Sequence, residues 1–336
     1  MGDNQVTSTF KDQFMKMFKY YKSNNPKPSL DDVIIVGKDC NGKVTNFTPD
    51  TVIEDPRMRL LGLKHFKDWQ IFTFNKHPGL LFVRNPFTSL GQRYWIRKCL
   101  EEYPRKPNKI NIDIETSLQD WWQECFRNGQ SDKQLQKKLR WTTLGYHHNW
   151  DTKVYTEDNK TQFPEDLAEL SDVLAKCLGY SDFRAEAAIV NYYHMNSTLS
   201  AHTDHSEVNL EAPLFSFSFG QSAIFLIGGE DKLIEPSAIL INSGDIVVMS
   251  KETRLCYHAV PKILLSSDSP WDNGDISLVS ASPSFRYISN PKELISCMNE
   301  QTNNKNWNQF RNYIQESRIN MNVRQVLNEK QMRLPE

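Results

Sequence analysis

The sequence predicts an α+β fold with helices first and strands second, and three observations carry the prediction. Up to about residue 178 apolar residues recur at helical spacing; beyond residue 184 the period falls to two; and Gly220-Gln221 and Ser243-Gly244 sit between strand-like runs as turn signals. That order argues for a largely antiparallel sandwich or jelly roll buttressed by N-terminal helices. At 336 residues, 39% of them hydrophobic, the chain can bury a core of its own.

Residues 11–22 (KDQFMKMFKYYK) form a basic amphipathic pattern that reads as a docking helix. A mitochondrial address is the alternative, opposed by Asp3 and Asp12, because such presequences favour Arg and avoid acids. Residues 23–62 are rich in Asn, Pro and Asp without sustained periodicity, so an irregular connector is expected and the first helix should be tethered, not embedded. Helical patterns return at 91–103, 117–127 and 131–139, the last two opened by Ser117 and Ser131 as caps. Residues 164–178 begin at Pro164, put Leu167, Leu170, Val173, Leu174 and Leu178 on one face, and stop at Gly179. Strands are expected at 186–193, 214–219, 222–227, 238–242, 245–249, 255–260 and 318–326.

Lys and Arg total 40 against 41 Asp and Glu, so no global field draws the chain to nucleic acid or to an anionic membrane. Any such partner must be held locally. The 6 cysteines lie far apart with no C-x-x-C, which reads as reduced thiols in an intracellular protein and argues against structural zinc on cysteine. No apolar run reaches the roughly 18 to 20 residues of a membrane span. The start MGDNQVTSTF lacks a secretory apolar region, and Val6 breaks the myristoylation pattern.

Residues 202–207 hold two His-x-acid units, His202-x-Asp204 and His205-x-Glu207. On a strand, residues i and i+2 point the same way, so either unit can aim an imidazole and a carboxylate at one point. Local spacing does not separate the two. His258, in the apolar run 255–260, is a candidate third ligand and equally a core histidine. Two histidines and one carboxylate would leave the remaining metal positions open for a co-substrate and oxygen.

The last strand alternates cleanly. Arg318, Asn320, Asn322 and Arg324 fall on one face and Ile319, Met321 and Val323 on the other. The polar face is either a solvent-facing edge or the lining of a pocket for an acidic ligand. Asn191 and Tyr193 share a face of the 186–193 strand, and an amide, a phenol and a guanidinium suit a dicarboxylate.

The series Asn191-x-Tyr193, His202-x-Asp204, His258 and Arg318-x-Asn320-x-x-x-Arg324 resembles the AlkB family of Fe(II)/2-oxoglutarate dioxygenases. Phrases such as RWTTLGYHHNWD, SGDIVVMS and NMNVRQVL are similar to a eukaryotic branch of it. The resemblance implies a double-stranded β-helix catalytic domain over 131–336, including a nucleotide-recognition lid, preceded by an N-terminal helical extension with an irregular linker over 1–130. It implies Fe(II) on His202, Asp204 and His258, with O2 as oxidant. It also implies 2-oxoglutarate on Arg318, Tyr193 and Asn191, with Arg324 fixing either the iron-proximal carboxylate or the triad and Asn320 in support. The expected reaction is oxidative demethylation of methylated bases in nucleic acid. The expected substrate is tRNA carrying 1-methyladenosine, with 5-methylcytosine oxidation as a further activity and DNA N6-methyladenine demethylation or DNA repair by the same chemistry as the alternative.

Trp141, Tyr146, Trp150 and Tyr155 are the aromatics nearest the lid, and each is a base-stacking candidate or a core residue. Ser206 stands where the bacterial pattern carries an acid that reads the base, so either Glu207 takes that part or recognition differs. Phosphate contacts should come from 84–109, with seven cations against Glu101 and Glu102, or from Lys133, Lys137, Lys138 and Arg140. A monomer in nucleus, cytoplasm or mitochondrion, with no membrane attachment, completes the expectation. The competing classes are a metal-dependent hydrolase, which has no use for Arg318 and Asn191, and a non-catalytic metal-binding jelly-roll module.

Overall fold

The computed structural model describes residues 12–38, 42–49, 54–113, 118–127, 130–272 and 283–334. The start of the chain, Cys40 and Ser117, on which expectations above fall, lie outside the described residues. The strands are β1 (Val44–Asn46), β2 (Gln70–Phe74), β3 (His77–Arg84), β4 (Lys109–Ile110), β5 (Trp141–Gly145), β6 (Ala187–His194), β7 (Leu199–His202), β8 (Leu214–Gly220), β9 (Ser222–Ile227), β10 (Ser237–Ile241), β11 (Ile246–Met249), β12 (His258–Leu264) and β13 (Ser317–Arg324). The α-helices are α1 (Gln13–Lys22), α2 (Ser89–Arg97), α3 (Trp121–Glu124), α4 (Lys133–Lys138), α5 (Glu165–Cys177), α6 (Pro291–Glu300) and α7 (Asn304–Ile314).

Two antiparallel sheets face one another. The larger, nine-stranded one runs β1-β2-β3-β11-β8-β13-β6-β5-β4 and the smaller, four-stranded one β10-β9-β12-β7. This is the jelly-roll arrangement the strand pattern predicts. Period two sorts the side chains: Phe215, Phe217 and Phe219 of β8 and Ile319, Met321 and Val323 of β13 pack on the helix side with Trp95, Trp121 and Leu170. Between the sheets, Phe82, Val247 and Met249 meet Phe225, Ile227 and Val260. Each of these side chains, moved fully out of water, contributes about 1.5–3 kcal/mol. The polar alternates of β8 and β13 therefore end up between the sheets, at the end where the site forms. Gly220 makes the β8–β9 turn at φ +85°, and a Cβ there would lie 2.4 Å from the Ser317 carbonyl oxygen.

Several expectations change. The first helix is embedded: Phe14, Phe18 and Tyr21, at i, i+4 and i+7, are buried against Ile224, Leu226, Ala238 and Ala259 on the outer face of the smaller sheet. The reason lies in β9, whose SAIFLI sequence is apolar on both faces and so needs a cover on each. The caps differ as well: Asp120 and Asp132 accept from the first-turn amides of α3 and α4, in place of a serine. Strands β1 to β5 and β7 and helices α6 and α7 are additions to the elements read from periodicity. Strands of the larger sheet lie on both sides of the boundary expected at residue 130, with β1 to β4 before it and β5, β6, β8, β11 and β13 after it. Among the described residues, no helix is long and apolar enough to cross a membrane.

Candidate active site

His202 ends β7 and His258 opens β12, and the two are directly paired across the smaller sheet with ring centroids 4.2 Å apart. Asp204, two residues past the end of β7, brings its Oδ2 to 3.5 Å from His258 Nε2. One ligand atom from each of the three lies within 4.8 Å of the others, and among the described residues no other group of three His, Cys, Asp or Glu does this. Both imidazoles have Nδ1 against a backbone carbonyl: His202 at 2.9 Å from Ser200 O and His258 at 3.1 Å from Cys256 O. A proton on each Nδ1 leaves each Nε2 lone pair aimed at the common point, the tautomer a metal ligand needs. The second unit does not converge: His205 is exposed with Nδ1 at 2.9 Å from Thr203 Oγ1, and Glu207 turns inward.

Electrostatics suit a cation at this point. Burial pushes His202 down to about 4, helped by the neighbouring His258, so the ring is neutral at physiological pH. Burial would raise Asp204, but Arg324 and then His258 hold its carboxyl well below the usual range. Arg324 donates from Nη2 to Asp204 Oδ1 at 2.9 Å, and Asp204, Tyr155 and Glu207 together keep its guanidinium charged in spite of burial.

The polar face of β13 is an interior face. Arg318 is paired with Tyr193, and Asn320 with Asn191, which is in turn paired with Trp141, so these residues share one side of the larger sheet. Arg318 donates from Nη2 to Ser218 Oγ at 2.8 Å and from Nη1 to Gln221 O at 3.3 Å, while Asn320 Nδ2 reaches Ser216 Oγ at 2.8 Å and Phe217 O at 2.9 Å. Two buried donors here lack a hydrogen-bond partner among the described residues, Tyr193 Oη and Arg318 Nε. Burial lowers Arg318 to about 10 and lifts Tyr193 to about 12. A buried guanidinium that makes no ion pair among the described residues, with Asp245 acting on it only at longer range, beside an unpaired phenol fits the distal carboxylate of a dicarboxylic acid.

The substrate candidates divide. Trp141 and Trp150 stand with ring centroids 5.0 Å apart, Trp150 being 39% exposed, and His148 packs edge-on against Trp150 at 4.8 Å. Tyr146 and Tyr155 instead belong to a small core with Val326, Leu327 and Leu334. Tyr146 donates to Glu157 at 2.8 Å, and Tyr155 points to Glu207 at 3.4 Å. Glu207, expected at the base, is 5% exposed, with Arg254 at 2.9 Å and Arg324 at 3.1 Å. The basic stretch 84–109 is also largely spent internally. Arg93 is buried against backbone carbonyls, and Arg97, Lys98, Arg105 and Lys106 pair with Glu101, Glu102, Asp120 and Asp113 respectively. Lys133, Lys137, Lys138 and Arg140 are exposed just before β5, with Lys133 at 3.4 Å from Glu316.

Ser216, Ser218, His148 and Arg254 join the site only in three dimensions. For the two serines a sequence signal is present, since they alternate with Phe in LFSFSF and so share one face.

Two sheets enclosing a His-x-Asp…His cluster beside a buried arginine define an iron- and 2-oxo-acid-dependent oxygenase, and the chain belongs to the 2OG-Fe(II) oxygenase superfamily, whose profile matches residues 79–324. As such it is a dioxygenase that takes Fe(II), 2-oxoglutarate and O2. It is 38% identical over 343 residues to the nucleic acid dioxygenase ALKBH1 of Homo sapiens, covering 96% of this chain and 86% of that protein. It is 34% identical to the tRNA demethylase abh1 of Schizosaccharomyces pombe, covering 76% of this chain and 82% of that one. To the DNA N(6)-methyladenine demethylase ALKBH1A of Arabidopsis thaliana it is 26% identical, covering 97% of this chain and 98% of that one.

Proposed function

We propose that this chain oxidatively demethylates methylated bases in nucleic acid, with 1-methyladenosine in tRNA as the substrate and 5-methylcytosine oxidation as a further activity. The observation that carries the reading is the convergence of His202, Asp204 and His258 beside the Arg318 and Tyr193 donors that have no partner among the described residues. The printed activity of the Schizosaccharomyces pombe relative supports tRNA, and that of the Arabidopsis thaliana relative supports DNA N6-methyladenine as the second reading.

When bound, the ferrous ion with 2-oxoglutarate and O2 supplies the oxidising power that hydroxylates an N-methyl group, and the product falls apart to formaldehyde and the bare base. In this reading His202 and His258 would hold the metal through Nε2 and Asp204 through its carboxylate. Arg318 and Tyr193 bind the far carboxylate of 2-oxoglutarate by charge-assisted and phenolic hydrogen bonds, with Asn191 beside them. Asn320 ties β13 to β8 behind them, and Arg324 orients Asp204. A base inside a duplex is out of reach of such a site, so the target is flipped or taken from a loop and laid on the Trp141–Trp150 shelf. Lys133, Lys137, Lys138 and Arg140 supply phosphate contacts next to that shelf.

The catalytic unit is read as both sheets with their helical cover, acting as a monomer. An intracellular setting, in nucleus, cytoplasm or mitochondrion, is supported by the unbridged thiols of Cys99, Cys125, Cys177, Cys256 and Cys297. The test is succinate release from 2-oxoglutarate with and without methylated tRNA, under Fe(II) and under Zn(II). Release that needs Fe(II) and rises with methylated tRNA supports the reading. Equal release with unmethylated tRNA rejects the substrate, and none under Fe(II) rejects the reaction.

A further inference from the structure

We infer that Arg254 is a positioning residue for the metal centre: it fixes the loop that carries Asp204, and Glu207 is its counter-charge, not a reader of the base. The inference rests on the reading of His202, Asp204 and His258 as metal ligands.

Three bonds from one guanidinium carry it. Arg254 donates from Nη1 to Asp204 O at 2.6 Å, sets Nη2 at 2.9 Å from Glu207 Oε2, and donates from Nε to Ala212 O at 3.1 Å. It thereby binds the beginning, middle and end of residues 204–212, a stretch with no helix or strand to hold it. Arg254 itself is firmly based. It caps the short helical turn Lys251–Thr253, which carries a Ser250/Thr253 capping box and is tied to β3 by Ser250 Oγ donating to Gly79 O at 2.8 Å. Four residues further on comes His258, so the segment that delivers one ligand also clamps the loop that delivers another.

Glu207 completes the arrangement. Its Oε1 lies 3.1 Å from Arg324 Nε, and Arg324 in turn holds Asp204 Oδ1 at 2.9 Å. Asp204 is therefore gripped twice, at its carbonyl by Arg254 and at its carboxylate by Arg324, with Glu207 bridging the two guanidiniums. Arg254, Glu207 and Arg324 are 2%, 5% and 3% exposed. Buried charges this well paired add little to stability against apolar packing, because desolvation offsets their attraction. What the cluster does provide is geometry, as partners behind a metal ligand do.

The readout is metal affinity, measured on the full chain without substrate by anaerobic calorimetric titration of Mn(II). Arg254→Lys keeps the charge but cannot span three acceptors, and its Kd for Mn(II) should rise about 10- to 100-fold. The pair Arg254→Met with Glu207→Gln removes both charges together and should fold and show the same weakening. Mn(II) binding by Arg254→Lys within twofold of the wild type overturns the inference. So does failure of both variants to fold, which would make the cluster a determinant of the fold. His202→Ala separates the two layers. If it binds Mn(II) like the wild type, the ligand reading itself is wrong. If it loses Mn(II) while Arg254→Lys does not, only the inference on Arg254 fails.

Discussion

Arg318 and Tyr193 are direct cross-strand partners on β13 and β6, and each carries a buried donor, Nε and Oη, that no described group accepts. Buried donors left unpaired cost about 1–3 kcal/mol each, so a site that keeps two of them side by side is built for an acceptor. In the proposed reading that acceptor is the distal carboxylate of 2-oxoglutarate.

Arg318→Met tests this pairing. Losing a charge-assisted hydrogen bond of about 1.5–3 kcal/mol corresponds to a KM for 2-oxoglutarate raised roughly 10- to 150-fold. The KM for nucleic acid should stay within threefold. Steady-state succinate assays with each substrate varied in turn distinguish the two; an unchanged 2-oxoglutarate KM would remove Arg318 from the co-substrate site.

Trp150 is the exposed half of the Trp141–Trp150 pair, so its ring can be removed without opening the core. Base stacking on an aromatic is worth about 1–3 kcal/mol, so Trp150→Ala should raise the KM for a methylated oligonucleotide roughly 5- to 150-fold. Binding of Mn(II) should be unaffected within twofold. An oligonucleotide KM equal to that of the wild type would place the base elsewhere.

Phe14 is 0% exposed beneath α1, against the outer face of the smaller sheet. Phe14→Ala should cost about 3–5 kcal/mol of unfolding free energy if α1 is part of the folded core. Denaturant unfolding measures it, and a loss under about 1 kcal/mol would return α1 to the status of a tethered appendage.

Much of the fold and of the site is local chemistry and could be read from residues. The alternation Arg318-Ile-Asn320-Met-Asn322-Val-Arg324 marks a two-faced strand without saying that its polar face is interior. His-x-acid spacing marks His202/Asp204 and His205/Glu207 alike as candidates, with Asp204 lying past the end of β7 and not on the strand. What periodicity does not carry is the partner across space. The docking of α1 depends on a second apolar face of β9, legible in SAIFLI only once that strand is known to be covered on both sides. The partner of Glu207 is Arg254, forty-seven residues later in the chain, and no spacing in the sequence links the two. The cations of 84–109 look like a phosphate-binding patch until the buried backbone carbonyls around Arg93 and the acids beside Arg97, Lys98, Arg105 and Lys106 are placed. In each case the missing fact is a long-range contact, which sequence spacing does not encode.

The central claim is that His202, Asp204 and His258, and not His205 with Glu207, hold the iron. Anaerobic Fe(II) titration of His202→Ala, Asp204→Ala and His205→Ala, followed by succinate release on admitting O2, tests it most directly. The account predicts that the first two variants neither bind Fe(II) stoichiometrically nor release succinate, whereas His205→Ala does both as the wild type does. Full Fe(II) binding and succinate release by Asp204→Ala would contradict it.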